Sequence, residues 1–276
     1  MFLGNGSDEA IDLLIRASCE SGKDRIISIT PSYGMYQVCA DIQGVEVDRV
    51  LLNEDFSLPN ERIIEAIRAE HKLIFLCSPN NPTGNLLERD AVEKVLNAFS
   101  GIVVVDEAYI DFSESYGFID LLGKYSNLVL LRTFSKAWGL AGARCGMAIA
   151  NERVVKSLAN IKYPYNLNAL TQLVVLKALS NQEEKNAQLS QIKKQRLELL
   201  NAMTKISGVL KVFKSEANFV LIKVEDPNKI YTELLRLGIV VRNRDGQDLC
   251  KGCLRLTVGT ELENNRLIET LKKLLS

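Results

Sequence analysis

The stretch Ile102-Val103-Val104-Val105-Asp106-Glu107-Ala108-Tyr109 decides the fold class. Four consecutive β-branched residues suit a strand covered on both faces, as in a parallel sheet flanked by helices. Short apolar runs of the same kind recur at residues 25–29, 45–52, 73–77, 128–131 and 147–150. Amphipathic stretches at 8–21, 61–70 and 88–98 lie between them. In the first of these Ile11, Leu14, Ile15 and Ser18 share a face, with Gly22 as the expected stop. This alternation predicts an α/β fold with a mainly parallel sheet, and the large unit is placed at residues 1–185. Residues 168–205 carry a helical pattern, with a break expected over 181–188. Beyond Gly208, strand-like runs at 209–213, 219–224 and 254–258 alternate with helical stretches at 228–237 and 262–275. They predict a smaller α+β unit at 186–276, with a ligand cleft between the two units.

Composition narrows the function. Of 276 residues, 34 are Lys or Arg and 34 are Asp or Glu, which argues against a broad nucleic-acid or anionic-membrane surface. Six cysteines are too few for a disulfide-stapled secreted domain, and the expected compartment is a reducing cytoplasm. The single histidine, His71, makes His-rich metal sites and Ser-His or Cys-His catalysis poor candidates. It sits in the charged run Arg68-Ala69-Glu70-His71-Lys72 and reads as a surface residue at a helix end. No apolar run is long enough to cross a membrane, and the start, Met1-Phe2-Leu3-Gly4-Asn5-Gly6, lacks the form of a signal peptide. It reads instead as a short strand entering a glycine turn.

Several constellations can carry chemistry. Gly4-Asn5-Gly6-Ser7-Asp8-Glu9 opens a helix whose free N–H groups can hold a phosphate, with Ser7 as a possible cap. Ser78-Pro79-Asn80-Asn81-Pro82-Thr83-Gly84 follows a strand at its carboxyl end, where α/β sheets bind ligands. Asp106 ends a buried strand and needs a positive partner; a metal is the rival to a cationic ligand, weakened by the missing phosphate-loop lysine. In Thr133-Phe134-Ser135-Lys136 a desolvated Lys136 would fall below the usual pKa of about 10.4 and suit Schiff-base chemistry. Arg144, with Thr133 and Ser135, makes an anion cradle. Arg242 and Arg255 each interrupt an apolar run and suit a carboxylate or phosphate. Cys250-Lys251-Gly252-Cys253 lacks the second ligand pair of a zinc site and precedes a strand rather than a redox helix.

Taken in order, Gly6-Ser7-Asp8-Glu9, Pro31-Ser32-Tyr33-Gly34-Met35-Tyr36, Ser78 to Gly84, Asp106-Glu107-Ala108-Tyr109, Thr133 to Lys136, Arg144-Cys145-Gly146 and Cys253 to Gly259 resemble fold-type I pyridoxal-phosphate enzymes. Within that superfamily the chain is most similar to histidinol-phosphate aminotransferases. The resemblance implies pyridoxal 5'-phosphate as cofactor and no metal. It implies Lys136 as the amine that condenses with the cofactor aldehyde and then carries the proton. Asp106 would face the pyridine nitrogen; Asn81 and Tyr109 would meet the ring hydroxyl, and Tyr33 would stack on the ring. Gly6, Ser7, Asp8, Thr133, Ser135 and Arg144 would surround the cofactor phosphate. Arg255 and Arg242, with Asn81, match positions that bind the substrate anion, while Tyr163, Asn166 and Asn168 are lesser candidates near a dimer contact.

The implied reaction is amino transfer between histidinol phosphate and 2-oxoglutarate, in a cytoplasmic homodimer. Threonine-phosphate decarboxylase and aromatic aminotransferase are enzymatic alternatives; an inactive fragment or a regulatory cofactor-binding module is the non-enzymatic one. The resemblance also implies a segment ahead of residue 1, bearing an arm and a tyrosine that reaches the partner's cofactor phosphate. A protein beginning at Met1 is therefore expected to dimerise weakly and turn over slowly.

Overall fold

Val103, Val104 and Val105 are fully buried, and they face two different layers in turn. That is the two-sided burial a parallel sheet demands. The computed structural model describes residues 1–275. Strands β1 (Phe2–Gly4), β2 (Arg25–Thr30), β3 (Glu46–Leu51), β4 (His71–Cys77), β5 (Ile102–Asp106), β6 (Leu128–Thr133) and β7 (Gly146–Ala150) form one sheet in the order β1-β7-β6-β5-β4-β2-β3. Strands β3, β2, β4, β5 and β6 run parallel, β7 is antiparallel to β6, and β1 is antiparallel to β7. Helices α1 (Ser7–Ser18) and α2 (Met35–Gln43) cover the face bearing Phe75, Val104 and Leu131. Helices α3 (Asn60–Ala66) and α4 (Arg89–Ala98) cover the face bearing Ile74, Val103 and Val105. Helix α5 (Glu152–Ile161) joins the first layer through Leu158.

Helices α6 (Ala169–Leu179) and α7 (Gln182–Met203) lead to the second unit. There β8 (Val209–Val212), β9 (Phe219–Val224), β10 (Arg242–Asn243) and β11 (Cys253–Thr257) pair antiparallel in the order β10-β11-β9-β8. One face packs Val220, Ile222, Leu254 and Leu256 against α7, α8 (Pro227–Arg236) and α9 (Glu261–Leu275). The other face, through Leu221 and Cys253, joins the core of the large sheet. The period of two along β9 and β11 therefore splits one sheet between a core of its own and the seam with its neighbour. Among the described residues no helix is long and apolar enough to cross a membrane.

Several boundaries differ from expectation. Helix α1 ends at Ser18, because Cys19 turns extended after its N–H reaches Ile15 O; Gly22 (φ 70°) serves the following turn instead. Helix α3 stops at Ala66, short of residue 70. The break between α6 and α7 falls at Ser180 and Asn181, and residues 182–188 are helical. His71 is buried at the start of β4, not exposed at a helix end. Its Nδ1 accepts the Arg68 N–H at 2.9 Å, so its Nε2 donates to Asp48 Oδ2 at 2.7 Å.

Candidate active site

The parallel order places the carboxyl ends of β4, β5 and β6 side by side. Cys77 pairs with Asp106, Asp106 with Leu131, and Thr133 with Gly146. Strand β1 delivers Gly4 to this same edge and starts α1 there. The approach is close: a Cβ on Gly146 would lie 2.2 Å from Ser7 N, and one on Gly6 (φ 78°) 2.6 Å from Arg144 Nη2. Only glycine at 146 lets these backbones meet, while at Gly6 it is the left-handed φ that calls for glycine, since the tip of Arg144 could shift aside.

Around this edge lies a cavity of about 140 Å³, lined by Gly6, Ser7, Asp8, Tyr33, Asn81, Asp106, Tyr109, Thr133, Ser135, Lys136 and Arg144. Residues from six separate stretches of sequence thus converge at one place. Cys77, Ala108 and Ala141 also line it; small side chains at turns carry no signal of their own in the sequence.

Asp106 forms the floor. It is buried, and its two oxygens accept from Tyr36 Oη (2.9 Å) and the Ala108 N–H (3.0 Å). The expected cation is absent from its hydrogen-bond partners. Burial pushes its carboxyl up to about 6, against the downward pull of Tyr36 and Ala108. A buried acid turned toward a cavity, with protein donors but no bonded cation, fits a ligand that brings a protonated nitrogen.

Lys136 departs from expectation: it is exposed at the rim rather than desolvated. Its flanking turn through Ser135, Gly139 and Gly142 offers little bulk to cover it. Its Nζ stands 5.2 Å from the centre of the Tyr109 ring, so amine and ring share the same side of the cavity.

The segments expected to form the anion cradle meet at the start of α1. Gly6 N–H bonds Arg144 O at 3.1 Å, which ties the start of α1 to the segment after Lys136. Arg144 Nη2 lies 3.4 Å from Asp8 Oδ2, and Tyr33 Oη donates to Asp8 Oδ1 at 3.0 Å. Burial, then Asp8, push the Tyr33 phenol up. The Ser135 N–H bonds Thr133 Oγ1 at 3.1 Å. Ser7 opens the first turn of α1 and Gly6 occupies the cap position, with no side-chain cap. The first-turn N–H groups are thereby left facing the cavity edge, where an anion is favoured.

Arg255, on the small sheet, is not part of the cavity wall but bonds Asn81, which is. Its Nη1 donates to Asn81 Oδ1 at 2.5 Å, its guanidinium lies 4.7 Å over the Phe219 ring, and its Nε is buried without a partner. Burial lowers its pKa, with Arg244 and Arg242 acting the same way. Arg242 lies directly across the β10–β11 ladder from Arg255, but it is exposed and does not line the cavity. Tyr163, Asn166 and Asn168 lie outside it too: Tyr163 is exposed, Asn166 bonds Leu3 O and Glu9, and Asn168 caps α6. Among the residues missed in sequence, Asn80 is fully buried and binds Pro31 O and Thr83 Oγ1, locking the loop that presents Asn81.

Residues 1–271 match the family model described as aminotransferase class I and II. A curated histidinol-phosphate aminotransferase of Bacteroides thetaiotaomicron is 51% identical over 273 residues, covering 99% of this chain and 79% of that protein. The crystal structure of the histidinol-phosphate aminotransferase from Clostridium acetobutylicum superposes with a TM-score of 0.92 at 29% identity, over 99% of this chain and 82% of that one. The Sinorhizobium meliloti histidinol-phosphate aminotransferase, solved in complex with pyridoxal-5'-phosphate, shares the fold with a TM-score of 0.89 at 23% identity, over 99% and 76% of the two chains.

Proposed function

The chain belongs to the class I and II aminotransferase family, and from that premise we propose how its own residues carry out the reaction. It is a pyridoxal-phosphate-dependent transaminase of histidine biosynthesis, exchanging an amino group between histidinol phosphate and 2-oxoglutarate. When bound, the cofactor supplies an aldehyde for the amine and a protonated ring that draws electrons from the substrate's amino-bearing carbon.

The residues lining the cavity fit that group. Lys136 Nζ would hold it through its aldehyde and would move a proton at the substrate's amino-bearing carbon. Asp106 would keep the ring nitrogen protonated: a charge pair about 4 Å apart at an effective dielectric near 20 contributes about 4 kcal/mol. Asn81 and Tyr109 would serve the ring hydroxyl, and Tyr33 would cover the ring. The first turn of α1 at Gly6, Ser7 and Asp8, with Thr133, Ser135 and Arg144, takes the phosphate. Arg255, with Arg242 further out on the same sheet and Asn81 between site and sheet, receives the phosphate or carboxylate of the substrate. The supporting observation is the convergence of Lys136, Asp106 and the start of α1 on one cavity.

Two further readings accompany this one. The division at residues 1–185 and 186–276 falls within α7, whose later residues Leu199 and Met203 pack on the small sheet. A cytoplasmic homodimer is supported by six free, buried cysteines and by an uncovered apolar face on α6.

Replacing Lys136 with Ala tests the assignment. The purified wild type should show the near-visible absorbance of cofactor bound to an amine. Lys136→Ala should lose that band and the transaminase activity while keeping its circular dichroism. An unchanged band would remove Lys136 from its role.

A further inference from the structure

Tyr36 takes no part in the cavity wall, yet among the described residues it makes the one side-chain hydrogen bond to the buried acid. Its ring is 1% exposed, stacks on Phe75 (centroids 4.7 Å apart, 17° between planes) and meets Tyr33 edge-on at 5.7 Å. Phenylalanine would fill this slot equally well. The hydroxyl is therefore the feature that needs explaining, since burying it is unfavourable without a partner. Its partner is Asp106 Oδ2 at 2.9 Å, while the Ala108 N–H takes Oδ1. Each carboxylate oxygen has two acceptor directions. The two donors occupy one on each, which fixes the carboxylate plane and leaves the remaining directions for the cavity.

We propose that Tyr36 is a positioning residue for Asp106: its hydroxyl holds the carboxylate ionised and oriented, so that the acid is ready to receive the cofactor's ring N–H. The inference rests on the pyridoxal-phosphate reading of the cavity. The other groups around Asp106 explain why such a donor is needed. Cys77 on β4 places a buried thiol beside it, Asp8 on α1 adds a like charge, and Glu107 follows it in sequence. Tyr33 from the turn before α2 and Tyr109 beyond β5 add phenol rings to the cavity wall. Lys136 alone among these groups favours the anion by charge, and it acts from the exposed rim. A phenolic donor stabilises the ionised carboxylate without burying a second charge.

The sign follows. Without the hydroxyl, Asp106 holds its proton to higher pH. At low pH fewer molecules then present the anion that binds a ring N–H. Well above both titrations the acid is ionised in either protein, and the loss disappears.

The test compares the dissociation constant of pyridoxal phosphate across pH for wild type, Tyr36→Phe and Tyr125→Phe. Tyr125 is a second buried tyrosine whose hydroxyl binds a carboxylate, Glu93 at 2.8 Å, but it lies outside the cavity. For Tyr36→Phe we expect affinity to fall about fivefold to tenfold near pH 6 and to match wild type near pH 8.5, for a rise of about one pKa unit. Tyr125→Phe should shift Tm and leave the pH profile alone. A Tyr36→Phe profile superposed on wild type, or weaker by one factor at every pH, would overturn the proposal. Failure of the wild type to bind pyridoxal phosphate would instead sink the reading of the cavity itself.

Discussion

Arg255 sits at the seam between the small sheet and the cavity loop that bears Asn81. It is more than half buried, it bonds a neutral amide rather than an acid, and its Nε has no partner. A guanidinium in that state would favour an incoming anion, because burial without a counter-charge is costly. Arg255→Lys retains the charge but loses the planar fork. We expect kcat/KM for both histidinol phosphate and glutamate to fall about tenfold to a hundredfold, the worth of one charge-assisted hydrogen bond. Steady-state kinetics on both substrates would check this; a variant at wild-type kcat/KM would place the substrate anion elsewhere. The sequence marked Arg255 and Arg242 alike, as arginines within apolar runs. The ladder separates them, since one is drawn to the seam beside Asn81 and the other stays in solvent. Lys136 shows the opposite lesson: its neighbours in sequence pointed to the cavity it lines, while its exposure depends on how a glycine-bearing turn folds away from it.

Neighbouring strands β2, β3 and β4 share a polar clamp at their amino ends, opposite the cavity. Arg25 grips Asp48 with Nε at 3.0 Å and Nη2 at 2.6 Å, Glu46 adds a second ion pair to Arg25, and the buried His71 imidazole closes the third side. The Arg25 guanidinium, then His71, hold the Asp48 carboxyl down at about 2. A carboxyl lowered in the folded state stabilises the fold above its unfolded pKa of about 3.9, and that contribution fades as pH falls toward 2. Asp48 is partly exposed, so solvent screening limits the pair to about 1 kcal/mol at neutral pH. Asp48→Asn should therefore lower stability to urea by about that amount at pH 7, with the gap to wild type narrowing below about pH 4. A gap of constant size down to acid pH would exclude the ion pair as its cause. This clamp was hidden in the sequence: residues 68–72 are charged and read as surface, and only strand pairing brings residues 25, 48 and 71 together. The strands themselves were legible because runs such as 102–105 are apolar on both faces. Helices α2 and α5 were not, since α2 follows a turn motif that drew attention to its start alone, and α5 buries little beyond Leu158.

Across the whole molecule, the unsatisfied surface is α6. Leu170, Leu173 and Leu176 are 75%, 64% and 65% exposed, although the helix is apolar on nearly every side. An all-apolar helix is buried somewhere, and only Thr171 and Val175 of α6 are buried within this chain. Beside it runs an apolar groove of about 810 Å³ that includes Phe2, Met147, Val155 and Leu176. The sequence showed the helix but not its missing cover, because burial by a second chain leaves the same apolar pattern as burial in a core. A second copy of this chain would cover α6 and its groove, and the groove adjoins the strand that delivers Gly4 and Gly6 to the cofactor cavity. Dimerisation and catalysis should then fail together. Leu173→Glu places a charge in the middle of the exposed face, where desolvating it at an interface is strongly unfavourable. We expect analytical ultracentrifugation to place Leu173→Glu further toward monomer than wild type at equal concentration, with kcat at least tenfold below that of wild type because β1 and the start of α1 lose their support. A dimer that survives this substitution would move the interface off α6, and a monomer with full kcat would uncouple assembly from the site.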